Sequence, residues 1–83
     1  MPRYLFHTQD GHVFHDNEGR ELANPAEARR AALNFLSENL RDNGAFWETG
    51  SYQVTVTDAD NLVLFTLEVL ATMSPAMLGQ AGR

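Results

Sequence analysis

Tyr52-Gln53-Val54-Thr55-Val56-Thr57 alternates large apolar side chains with polar ones. A period of two marks a strand with one face buried and the other wet. Asp58-Ala59-Asp60-Asn61 supplies turn chemistry, and Leu62 to Leu70 is a second apolar-rich run. A turn centred on Asp60 and Asn61 pairs Val56 with Phe65, Val54 with Leu67 and Tyr52 with Val69. Every large apolar partner then falls on one face, so turn and pattern specify the same hairpin. Such a hairpin requires a second element to cover its apolar face.

The cover is a helix. Asn24 is placed to cap it, Pro25 suits the first helical position, and Glu27 completes a capping-box pattern beside the positive end of the dipole. Ala28, Ala32, Phe35, Leu36 and Leu40 recur at helical spacing as one apolar stripe, with Arg29, Arg30, Asn34 and Glu38 on the wetter side. Asn43-Gly44 is the expected terminator.

Before the helix, Tyr4 to Thr8 and His12 to His15 flank Gln9-Asp10-Gly11. Asp-Gly predicts a hairpin, since glycine accepts a positive φ without steric cost. A three-residue loop with Gly11 as a bulge sets Thr8 opposite His12 and Phe6 opposite Phe14, placing Tyr4, Phe6 and Phe14 on the helix side. Asp16 to Leu22 is a polar loop. The expectation is an α+β fold in the order ββαββ: a four-stranded, mainly antiparallel sheet with one helix on one face. Residues 1–70 form the domain, and 71–83 form a flexible C-terminal tail in which Met73, Met77 and Leu78 dock only weakly.

Composition narrows the function classes. The 83 residues carry a net charge of −5 and no cysteine. All basic residues are arginines, so a lysine-rich patch for nucleic acid or anionic lipid is absent. Disulfides, cysteine-ligated zinc and thiol catalysis are excluded. No apolar run is long enough to span a membrane, and Met1-Pro2-Arg3-Tyr4 does not open a secretory signal, so the expected location is the cytoplasm.

The opening Met1-Pro2-Arg3-Tyr4-Leu5-Phe6-His7, the pattern Asp16-x-Glu18-Gly19-x-Glu21-Leu22 and the alanine-rich helix together resemble DUF6894, a family of short bacterial proteins of unknown function. The closing Val54-Thr55-Val56-Thr57-Asp58 and Leu62-Val63-Leu64 fit it too, so the resemblance reaches to about Val69. It implies a small bacterial α+β domain and carries no activity, substrate or catalytic residue.

Few residue sets could carry chemistry. His7 and His15, diagonal neighbours in this register, could contribute to a metal site if Asp10 or Asp16 or a second copy completed it. His12, near the turn, reads as solvated. Pro2, exposed if the initiator methionine is removed, invites comparison with small tautomerases, which use an N-terminal proline as base and arginines (here Arg3, Arg29 or Arg30) for a carboxylate substrate. Against it, those enzymes pass almost directly from first strand to helix. Asp16-Asn17-Glu18 and Asp58-Ala59-Asp60-Asn61 lack the length and closing glutamate of an EF-hand loop and read as turns. Phe46-Trp47 offers either a partner-binding aromatic pair or a lid on the core, and packing is the favoured role. No nucleophile elbow, phosphate loop or dinucleotide fingerprint occurs.

With one helix covering one face, the other is expected to expose Leu5, His7, Val13, His15, Leu62 and Leu64 among threonines. The resulting expectation is a non-enzymatic protein-interaction module acting as a homodimer, with a further unidentified protein partner. It needs no cofactor and binds neither nucleic acid nor membrane. The alternatives are a tautomerase-like enzyme using Pro2 and a metal-binding protein using His7 and His15.

Overall fold

The computed structural model describes residues 1–42, 44 and 46–80. In chain order its elements are β1 (Arg3–Gln9), β2 (Val13–Phe14), β3 (Arg20–Glu21), α1 (Pro25–Asp42), α2 (Phe46–Thr49), β4 (Ser51–Asp58), β5 (Val63–Leu70) and α3 (Pro75–Gln80). The sheet is antiparallel in the order β2-β1-β4-β5, and β3 adds to β1 on the side that β2 occupies. The fold is the expected α+β ββαββ arrangement, with the short β3 as an extra strand.

The C-terminal hairpin has the register its sequence predicts, with Val56 opposite Phe65, Val54 opposite Leu67 and Tyr52 opposite Val69. Asp58 builds the turn: its Oδ1 accepts the Asp60 and Leu62 amides at 2.8 and 3.0 Å. Asn61 adopts a left-handed φ of 67°, which asparagine tolerates better than most residues. One departure has consequences. A bulge between Val56 and Thr57 puts Val63, not Leu64, opposite Thr57.

The first hairpin has its three-residue loop and a positive φ at Gly11, but its register is two residues off the expected one. Thr8 faces Phe14 and Gln9 faces Val13, making the loop Asp10-Gly11-His12. Phe14 keeps the helix-side face. It now stands two residues, about 6–7 Å, further along β1 than Phe6, beyond the packed core. At 60% exposed it is not the core residue the sequence pattern suggested.

Helix α1 starts as expected. The Asn24 Oδ1 accepts the Glu27 amide at 2.9 Å, and the Glu27 carboxylate accepts the Ala23 amide at 3.0 Å. Ala28 and Ala32 are fully buried against Val54, Val56, Tyr4 and Phe6, and Leu36 joins them. Small side chains at these positions bring the helix axis close to the sheet, while Phe35 and Leu40 pack at the margin. The Phe35 ring lies 6.3 Å from that of Phe6. Of the expected terminator, Asn43 lies outside the described residues. Gly50, at φ 79°, closes α2 by donating its amide to the Phe46 carbonyl. In the C-terminal segment Pro75–Gln80 is helical, with Met73 and Met77 exposed; the Leu78 side chain lies outside the described residues.

Replacing Asn24 with alanine removes an N-cap acceptor and is expected to lower unfolding free energy by about 1 kcal/mol, with the urea m-value unchanged. A denaturation curve identical to wild type would show that the cap is dispensable.

Candidate functional site

The polar loop after β2 is built around Asp16. Strand β1 is paired near its end by β2 and near its start by β3, leaving Phe6 between them. The Asp16 Oδ2 fills the gap, accepting the Phe6 amide at 3.1 Å, while its Oδ1 accepts the Glu18 and Gly19 amides. A side-chain carboxylate thus stands in for the missing strand's carbonyl. Burial opposes ionisation of Asp16. The amides of Phe6, Gly19 and Glu18, together with the nearby His7, outweigh it and hold the carboxyl below its ordinary 3.8. Gly19 has φ 73°, and a Cβ there would sit 2.8 Å from the Tyr4 carbonyl, so only glycine fits. Arg3 ties down the same loop through the Glu18 carbonyl and a 3.3 Å ion pair with Glu21.

His7 belongs to this network. Its Nδ1 accepts the Asp16 amide at 3.0 Å, so the proton of the neutral ring is on Nε2, which donates to the buried Thr57 hydroxyl at 3.0 Å. In this state His7 cannot act as a base toward Thr57, because its one ring lone pair accepts the Asp16 amide on the other side. The shifted register also brings His15 directly, not diagonally, across from His7, and the ring centroids are 5.6 Å apart. The two histidines do converge, yet both His7 nitrogens are engaged, which leaves only His15 free to ligate. Among the described residues no three His, Asp or Glu side chains group as a metal site.

Around this pair the open face of the sheet forms a shallow hollow of about 390 Å³, lined by Gln9, Gln53, Thr55, Thr57, Asn61 and Val13 as well as the histidines. Its lining side chains are threonine, glutamine, asparagine, histidine and Val13, with no Asp, Glu or Arg among them. Leu5 is half-buried beneath the Gly19 loop, Val13 stands at its margin, and Leu62 lies in the turn. Leu64, displaced by the bulge, borders a second cavity on the other side of the sheet.

That second cavity, about 440 Å³, lies between the N-terminal segment, the first turns of α1 and the β4–β5 turn. Pro2 and Arg29 both line it, whereas Arg30 does not. Two strands, β2 and β3, intervene between β1 and α1, so the path of the chain departs from that of the tautomerases as the sequence indicates. Phe46 and Trp47 part company: Phe46 is core at 8% exposure, and Trp47, edge-on to it, is 65% exposed. The expectation that the tryptophan packs is therefore corrected. The short α2 has only one inward-facing position, and Phe46 takes it.

The fold and these sites define a small α+β domain with no assigned chemistry. Residues 3–71 match the family described as a domain of unknown function, DUF6894, and the chain belongs to it. No curated protein and no solved structure matches the chain. No described helix is long and apolar enough to cross a membrane.

Because its pKa is depressed in the fold, ionised Asp16 stabilises the protein fully above its ordinary 3.8 and progressively less as pH falls through the folded-state value. Asp16→Asn is expected to cost about 1–3 kcal/mol at neutral pH, and the deficit should shrink toward about pH 2.5. An equal deficit at both pH values in chemical denaturation would refute this role. Gly19→Ala should destabilise by about 2 kcal/mol or more through clash and positive φ, read as a lowered denaturation midpoint.

Proposed function

We propose that this chain is a non-enzymatic protein-interaction module that acts as a homodimer through the free edge of β5. The observation that carries the reading is the state of that edge. Strand β5 ends the sheet. The Ala71 amide donates to the Gly50 carbonyl at 2.9 Å. By alternation Phe65, Leu67 and Val69 turn their backbone groups toward β4, and Thr66, Glu68 and Leu70 turn theirs outward. Between Leu62 and Leu70 there is no lysine or proline to guard the edge. Leu62, Val63 and Leu70 are about three-fifths exposed, at 63, 58 and 67%.

A second copy suits this edge. An antiparallel pair with its two-fold axis at Thr66 sets threonine opposite threonine and Phe65 opposite Leu67, and keeps Glu68 away from its own copy. We place the chain in the bacterial cytoplasm, and its acidic charge balance argues against nucleic-acid partners. The exposed Trp47 remains open to a further protein partner.

Sedimentation velocity of the full chain is expected to show a dimer at tens of micromolar, about the range of a modest interface. Thr66→Pro removes one outward amide without touching the β4 ladder, and should weaken dimerisation by about tenfold or more at unchanged helix content. A wild-type monomer, or a dimer indifferent to Thr66→Pro and Leu70→Lys, would overturn the reading.

A further inference from the structure

The cavity beside the N-terminus has a composition that the association reading does not use. Its walls are apolar, from Pro2, Pro25, Leu64 and Phe65, and two polar groups meet there with nothing to bind. Arg29 is exposed and has no carboxylate within ion-pair distance among the described residues. Tyr4 is only 5% exposed, but its hydroxyl, which has no hydrogen bond among the described residues, is not a sealed-off atom and is reachable from the cavity. A hydroxyl donor that is open to the cavity, next to an unpaired guanidinium and among apolar walls, is a pair of polar groups suited to fixing a ligand.

The other charged side chains of the cavity are Arg3 and Asp58. Arg3 is held by Glu21 and the Glu18 carbonyl, and the Asp58 Oδ1 takes the Asp60 and Leu62 amides. A volume of about 440 Å³ suits a small organic molecule.

We propose that this cavity binds a small monocarboxylate with an apolar body, the carboxylate taken by the Arg29 guanidinium and the Tyr4 hydroxyl and the body seated against Pro2, Leu64 and Phe65. A guanidinium offers two parallel N–H donors to a carboxylate, and the low-dielectric walls strengthen the pair. The bulge in β5 is what supplies one wall, since it turns Leu64 away from the open face.

The test is a titration of 3-phenylpropionate into the full 83-residue chain, followed by amide shifts in nitrogen-15 spectra. Saturable shifts are expected at Arg3, Tyr4, Arg29, Leu64 and Phe65, with Kd on the order of 1 mM for a ligand of this size. The neutral 3-phenylpropanamide should bind about tenfold more weakly, as should the carboxylate to Arg29→Met, and Tyr4→Phe should lose about threefold. Arg29 is exposed, so its substitution leaves the core intact. No saturation by about 10 mM, shifts centred elsewhere, or equal binding by the amide or by Arg29→Met would each overturn the proposal. Sedimentation of the same samples reads the association separately, so either reading can fail alone.

Discussion

Everything on the N-terminal side of the sheet depends on one carboxylate. Strand β1 is central, with β4 along one side and only two-residue strands, β2 and β3, on the other. Strands that short cannot satisfy the whole edge of β1, and an unsatisfied amide beside the core is costly. Asp16 resolves this by presenting one oxygen to Phe6 and the other to its own turn. The chain can therefore leave β1 at Phe14, fold back and return at Arg20. His7, Thr57, Gly19 and Arg3 are all placed by that detour.

On the helix side the governing quantity is distance. Alanines at 28 and 32 present only a methyl group to the sheet, so α1 packs close and Val54 and Val56 lose all contact with solvent. The helix is centred over β1 and β4, and β5 lies farther out, its Phe65, Leu67 and Val69 only half-buried. A single helix cannot roof a sheet of this width. The unpaired edge of β5 and the cleft beside Pro2 both follow from that mismatch between one helix and a broad sheet.

Much of the fold was legible in the chain. The β4–β5 register, the Asn24 cap and the Ala28–Leu40 stripe depend on neighbours within a few residues, or on a period that only one secondary structure satisfies. The first hairpin was legible in loop length but not in register, because both registers place Phe14 on the same face and alternation cannot separate them. The candidate sites were less visible. Asp16 reads as a turn residue, which it is; its second oxygen reaches a strand ten positions away, and no local signal reports that. The Gly19 in the same motif was the available hint, since a glycine beside an aspartate turn often marks a close backbone approach.

By itself, then, the sequence determined the class of fold, the hairpin of β4 and β5, the helix and its buried face, and the absence of cysteine chemistry. These follow from periodicity, capping and composition, which act over short stretches of chain. Tertiary structure alone decided which nitrogen of His7 bears the proton, that Phe46 rather than Trp47 enters the core, and that Leu64 leaves the open face for a cavity with Arg29 and Tyr4. Each of those depends on groups far apart in sequence competing for one site, where a bulge or a two-residue shift in register decides which side chain meets which.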